Sequence, residues 1–285
     1  MKNGKLHKFL MVAVAVLALT GMAHASDVTL TGNYLNVGVN NSGALINSGV
    51  TLGIQFDPTG TGNFAGAPDF ITPGSPFEFY SVGVNGTFQG TAVYGSNPFG
   101  AVTFQTGSGA TQASSTFALL GGSVIMTQTT YFNVNSKSIN FSVDFINNTA
   151  APITVQYARG LDPDQDAQTY GIFDTNNSLT AHTVTAVGPV SGLSIQIQDL
   201  LNPAVGAGVP SVNNWTTDPY ALLLGGNLGN GDNAISMAWN FTIPAGNSAE
   251  VDFRYNVSAV PLPPALLLFA PGLLGLIGIR KRFNA

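Results

Sequence analysis

An all-β fold, a large antiparallel β-sandwich, is what this sequence predicts, and three observations carry the prediction. Apolar and polar residues alternate with a period of two through the middle of the chain, as in strands with one buried face. Clusters of Gly, Pro, Asn and Ser punctuate those runs, and 34 of the 285 residues are Gly. Only 8% of residues are charged, against roughly 25% in an ordinary soluble domain, so the Lys- and Glu-rich surface of a helical bundle is missing.

The first twenty-five residues stand apart from the strand pattern. Lys2, Lys5 and Lys8 precede an apolar run from Phe9 to Leu19, and Ala23-His24-Ala25 follows. A basic start, a short apolar stretch and an A-x-A site read as a secretory signal peptide helix over 1–25, cut after Ala25 by signal peptidase. Eleven apolar residues are too few to span a bilayer. The absence of Cys means that an exported domain depends on its core rather than on disulfides.

Residues 26–259 form the expected exported domain. Ile139, Phe141, Val143 and Phe145 alternate with Asn140, Ser142 and Asp144, and Ile153, Val155 and Tyr157 repeat the pattern after an Asn147-Asn148-Thr149 turn. Leu193, Ile195 and Ile197 do the same. The run Ile235, Met237, Trp239, Phe241, Ile243 is joined by Pro244-Ala245-Gly246-Asn247 to Val251, Phe253, Tyr255, Val257, and is expected to form a hairpin with it. Residues 57–76, 107–115 and 202–214 read as loops, residues 179–187 as a strand holding His182, and 218–224 as the one candidate for a helical turn.

The last segment, 260–285, begins Val260-Pro261-Leu262-Pro263. No charge interrupts the eighteen residues from Leu262 to Ile279, which would measure about 27 Å as a helix. Arg280, Lys281 and Arg282 follow as a basic stop on the cytoplasmic side. The expectation is a C-terminal single transmembrane helix.

Proline motif, apolar span and basic end, in that order, resemble the PEP-CTERM sorting signal in its VPLPA-type variant. Leu262 stands where that family usually has Glu, and Pro264 where the variant often has Ala. The resemblance covers about 26 residues. It implies a Gram-negative bacterial host, transient anchoring in the inner membrane and processing by an exosortase, a membrane-embedded cysteine protease-transpeptidase. It also implies delivery to the cell surface or an exopolysaccharide and biofilm matrix. The block Arg159-x-x-Asp162-Pro163-Asp164-x-Asp166, with Gly171, Asn176 and Asn177, is similar to one in other exported, tail-sorted β-rich bacterial proteins.

Charge and chemistry narrow what the exported part can do. Between the ends lie Lys137, Arg159 and Arg254 against all fourteen acidic residues, a net −11. No basic patch exists to neutralise phosphates, so nucleic acid is excluded as a partner. Asp162, Asp164 and Asp166, at i, i+2 and i+4, match the first half of an oxygen-rich Ca²⁺ loop. Ala167 replaces the turn Gly, and no Glu closes the loop. With His182 the one His of residues 26–259 and no Cys, zinc is disfavoured, and without Cys or a G-x-S-x-G turn acyl transfer has no support. Glu78 and Glu250 are the only Glu pair available for glycoside hydrolysis.

The expectation is therefore an exported envelope or matrix protein, structural or carbohydrate-interacting, without catalytic residues and not an enzyme. Two other classes stay open on the sequence: a carbohydrate-active lyase or hydrolase of the matrix, and a calcium-stabilised adhesin.

Overall fold

A computed structural model describes residues 27–93, 96–99, 102–106 and 111–259. The signal peptide with Ala23 and Ala25, the sorting motif Val260–Pro263, the C-terminal span and the Arg280–Arg282 stop lie outside the described residues. Among the described residues no helix is long and apolar enough to cross a membrane.

The period-two runs are strands. In chain order they are β1 (Val28–Thr31), β2 (Leu35–Val39), β3 (Ile54–Phe56), β4 (Glu78–Val84), β5 (Thr87–Ala92), β6 (Val102–Thr106), β7 (Gln112–Leu119), β8 (Val124–Tyr131) and β9 (Ser138–Asn147). There follow β10 (Ile153–Leu161), β11 (Asn176–Leu179), β12 (Thr183–Val187), β13 (Leu193–Asp199), β14 (Val209–Asn213), β15 (Gly226–Asn227), β16 (Ala234–Ile243) and β17 (Ser248–Ala259). They build a six-stranded sheet ordered β15-β14-β16-β10-β4-β5, an eight-stranded sheet ordered β11-β12-β13-β17-β9-β8-β7-β6, and a small sheet β1-β2-β3. Pairing is antiparallel except between β14 and the two-residue β15.

The two large sheets face one another across an aromatic core. Tyr157 of the six-stranded sheet meets Phe145 and Phe253 of the eight-stranded one, and Trp239 packs against Phe253 in a tilted pair, 5.1 Å between ring centroids. The small sheet contributes Leu30, Leu35, Val37, Ile54 and Phe56 to the same cluster. On the outer side of the six-stranded sheet a one-turn helix, Pro219–Leu222, covers Phe79, Ala158 and Ala238 with Leu222. Asp218 caps that helix by accepting from the Tyr220 amide at 2.9 Å, and Pro219 occupies its first position.

The expected 235–257 hairpin is not formed. β16 pairs with β10 and β14, whereas β17 pairs with β9 and β13 in the opposite sheet. The β9–β10 connection crosses between sheets in the same way. Period two tells which face of a strand is buried but not which strand lies beside it, and a sandwich corner uses the same turn residues as a hairpin. Asn147 joins the two crossings: its side-chain amide donates to the carbonyls of Ala151, Ile243 and Pro244, at 2.8, 3.1 and 3.1 Å.

Three local expectations also change. β7 and β14 run through segments read as loops, because Ser, Gln and Pro residues there occupy strand positions at or near sheet edges. The 179–187 stretch is two strands, β11 and β12, with His182 in the turn between them.

Among the described residues one ion pair lies within the six-stranded sheet and reaches across to the facing one. Arg159 of β10 and Glu78 of β4 are fully buried, with Arg159 Nε 2.6 Å from Glu78 Oε1. The guanidinium also donates to Gln128 Oε1 of the facing sheet at 3.2 Å and to the Gly43 carbonyl at 3.0 Å. Glu78 accepts from the Leu45 amide at 2.7 Å and from the Tyr255 hydroxyl at 3.2 Å. Burial pushes the Glu78 carboxyl up, and Arg159 with these donors opposes the rise. Burial likewise disfavours the Arg159 charge, but Glu78 overcomes it and the guanidinium stays charged.

Removing one partner strands the other charge in the core. Arg159→Met is expected to cost about 3–5 kcal/mol in denaturant unfolding, and adding Glu78→Met is expected to recover most of that loss. A double variant as unstable as the single one would refute this account of the pair.

Candidate functional site

The end of β10 carries the candidate site. Arg159 and Asp162 are three residues apart on an extended chain, so they point to opposite faces. Arg159 enters the core; Asp162 faces outward. The Asp162 amide donates to the Phe77 carbonyl at 3.0 Å, prolonging the β10–β4 pairing by one residue, and the Asp164 amide donates to the Phe70 carbonyl at 2.7 Å. Both aspartates are thereby fixed by backbone bonds.

Asp166 does not join them. Its carboxylate accepts from the amides of Val190 at 2.8 Å and Ser191 at 3.2 Å, in the turn between β12 and β13. Gly188 makes room there, since a Cβ at that position would lie 2.6 Å from Asp166 Oδ1. The expected Asp162–Asp164–Asp166 triad is thus corrected. A calcium-type loop bends back after its fifth position, whereas this chain enters a short helix, Ala167–Tyr170, and takes Asp166 with it.

The third carboxylate comes from Asp232. One oxygen from each of Asp162, Asp164 and Asp232 lies within 4.8 Å of the other two. The Asp232 loop is held by paired backbone bonds between Thr175 and Gly231, at 3.0 and 2.9 Å, and by Asn177, whose side chain donates to the Gly229 carbonyl at 3.0 Å. Such a triad could bind a metal: carboxylate oxygens this close could share one hard cation at about 2.3–2.6 Å each.

The triad lines a cleft of about 470 Å³ with Gly74, Ser75, Pro76, Phe77, Phe173 and Trp215. Asp162 and Asp164 are 4% and 2% exposed, and Oδ1 of each has no hydrogen-bond partner. Trp215 and Phe173 are exposed aromatic walls, 37% and 40% accessible. Trp215 has φ +49°, a left-handed conformation costly for a bulky residue and typical of functional loops. Gly74, at φ +69°, sits where a Cβ would come 2.6 Å from the Phe173 ring.

Electrostatics separates the carboxyls. Burial, then the charges of Asp162 and Asp232, pushes Asp164 up to about 8. Burial pushes Asp162 up to about 6, opposed by a hydrogen bond from the Trp215 indole. Partial desolvation and Asp174 raise Asp232. Near neutrality Asp164 holds a proton and Asp162 is largely ionised.

The other sequence candidates fall elsewhere. Glu78 is in the core. Glu250 lies on the outer side of the eight-stranded sheet, where it accepts from Ser142 opposite Asp144. The two Glu residues therefore form no catalytic pair. His182 is not among the cleft residues. Asp232, Phe77 and Phe173 escaped the sequence reading. The Gly229-Asn230-Gly231-Asp232-Asn233 stretch was the available signal for the first, but nothing local tied it to Asp162.

No protein-family model and no curated protein matches the chain. Solved structures do. A bacterial glucoamylase complexed with acarbose aligns at a TM-score of 0.53 and 9% identity, over 84% of this chain and 33% of the other. A putative aldose 1-epimerase from Escherichia coli K12 aligns at 0.46 and 10%, over 82% and 99%. The heparan sulfate lyase HepC from Pedobacter heparinus aligns at 0.43 and 8%, over 90% and 42%. The chain spans about a third of the glucoamylase chain it resembles. At these identities the likeness is one of fold, a β-sandwich. The expectation that the chain is not an enzyme is set aside, because the fold is one that an enzyme, the glucoamylase, also uses.

The raised Asp164 makes stability fall with pH. A carboxyl whose folded value exceeds its unfolded one favours the folded state fully at low pH, and that contribution is lost as pH rises through about 8. Asp164→Asn keeps the shape without the charge, so the variant is expected to be the more stable above about pH 8, by roughly 1–3 kcal/mol. The gain should disappear near pH 4, where both proteins are neutral at that site. Parallel stability curves at the two pH values would refute the assignment.

Proposed function

We propose that the protein is a carbohydrate-active enzyme that cleaves glycosidic bonds at the Asp162–Asp164–Asp232 cleft. The observation that carries the reading is the cleft itself: two largely buried carboxyl side chains, Asp162 and Asp164, line it with Asp232 beneath an exposed indole. Aromatic faces pack on the apolar side of sugar rings, and neighbouring carboxyls in unlike environments divide acid and base roles. The shared sandwich fold is consistent with this.

In the proposed reaction the Asp164 carboxylic acid protonates the glycosidic oxygen as the bond to the anomeric carbon breaks. The ionised Asp162 offsets the positive charge that develops on the ring, and water then adds to the anomeric carbon and returns a proton to the Asp164 carboxylate. Hydrolysis is favoured over lyase chemistry because a lyase must stabilise a uronate carboxylate, and no cationic side chain lines the cleft among the described residues.

Turnover of the host's own exopolysaccharide by the purified protein is the direct test. Asp164→Asn is expected to lower kcat by about 10²–10⁴-fold, the usual worth of general acid–base catalysis. Trp215→Ala is expected to act chiefly on KM. Unchanged kcat in Asp164→Asn would refute the role.

We further propose that the enzyme works outside the cell, sorted through its C-terminal signal. The order of proline motif, apolar span and basic end supports this. Mass spectrometry of the mature protein is expected to find the 260–285 tail shortened in a strain with its sorting enzyme and whole in a strain lacking it. A whole tail in both would refute processing.

A further inference from the structure

We propose that the cleft selects a sugar bearing a free ammonium group, a 2-amino-2-deoxy pyranoside, with the ammonium seated on the Asp162, Asp164 and Asp232 carboxyls. The inference rests on the glycan-cleaving reading for the class of ring it invokes. It does not depend on that reading for the ammonium seat.

The geometry of the triad matches the donor set. An ammonium carries three N–H donors in a tetrahedral tripod. Oxygens accepting from them at about 2.8 Å stand about 4.6 Å apart. The three carboxyl oxygens lie within 4.8 Å of one another. Two of the carboxyls, on Asp162 and Asp164, are more than nine-tenths buried. Both residues line the cleft, and Oδ1 of each, shielded from solvent, has no partner within the protein.

Charge narrows the ligand further. No Lys, Arg or His lines the cleft among the described residues. Arg159 is held in the core by Glu78, Lys137 lies over the Tyr34 ring at 4.6 Å, and Arg254 donates to Gln198 at 2.9 Å. A uronate or sulfated ring would meet three acidic groups and no counter-charge. An N-acetylated ring would bring an amide with one donor where the site offers three acceptors. A free ammonium satisfies both the charge and the donor count, and Trp215 stands beside Asp162 to take the ring face.

The experiment is calorimetric binding of three oligosaccharides of equal length to the purified full chain in EDTA: β-1,4-linked glucosamine, its N-acetylated counterpart and a uronic-acid oligomer. The glucosamine oligomer is expected to bind at least about tenfold more tightly than the N-acetylated one, the worth of one charge-assisted hydrogen bond, and the uronate most weakly. Asp232→Asn, an exposed change that leaves the fold intact, is expected to remove most of that preference. Asp252→Asn, in the acidic patch on the outer face of the eight-stranded sheet, is expected to leave it unchanged. Equal or tighter binding of the N-acetylated or uronate oligomer would overturn the proposal. So would a preference that survives Asp232→Asn, which would mark general attraction to an acidic protein. In a second titration, Ca²⁺ that occupies the triad and is not displaced by the amine would make the cluster a metal site and overturn it too. Selective amine binding without turnover would refute the cleavage reading and leave this one standing, whereas turnover of neutral glycans without amine preference would do the reverse.

Discussion

The Arg159–Glu78 pair is the constraint on which the rest of the molecule depends. Two charges with no solvent contact incur a desolvation cost of several kcal/mol each, and their attraction offsets it only when the remaining donors and acceptors are met. Here they are met by four residues from three segments: Gly43 and Leu45 from the loop after β2, Gln128 from β8, and Tyr255 from β17. The guanidinium also lies over the Phe141 ring at 4.2 Å. A pair satisfied this way holds both sheets and the small-sheet loop in one register, because moving any of them would leave a buried charge short of a partner.

The same strand that delivers the pair delivers the site. β10 is central in its sheet, flanked by β16 and β4, and its alternation sends Tyr157, Arg159 and Leu161 inward. Past its end the chain stays extended long enough for Asp162 to emerge on the other face. A fixed β10 therefore fixes the aspartates. It also explains the cleft's acidity: the base nearest in sequence to the aspartates is turned into the core and cannot neutralise them. With so few basic residues in the domain, a group of carboxyls could assemble with no cation beside it, and burial then raises their proton affinity.

The crossings between sheets show a second kind of constraint. β9–β10 and β16–β17 each pass from one sheet to the other, and Asn147 binds carbonyls from both connections. A single amide thus closes one end of the sandwich. The turn residues there are those of a hairpin, and they would serve either outcome; the neighbours available to each strand decide between them.

How much of this was legible in the sequence follows from the range of the forces involved. Period-two alternation is a local property, so the strands around Ile139, Ile153, Leu193, Ile235 and Val251 and the sandwich class could be read directly. The excess of acid over base was equally plain, as were Asp162 and Asp164, whose i, i+2 spacing on an extended chain puts them on one face. Asp166 looked like their partner because spacing alone cannot show that Gly188 leaves room for it against the β12–β13 turn. Asp232 reaches the cleft through a loop held by Thr175 and Asn177, and Trp215 through one in which Asn213 accepts from the Thr216 amide. The sequence by itself determined the layers, the buried faces and the sign of the charge, since each depends on residues near one another in the chain. Only the tertiary structure decided which carboxyls meet, which base is hidden and which strands are neighbours, because those contacts join distant segments through a core that exists only once the sheets have packed.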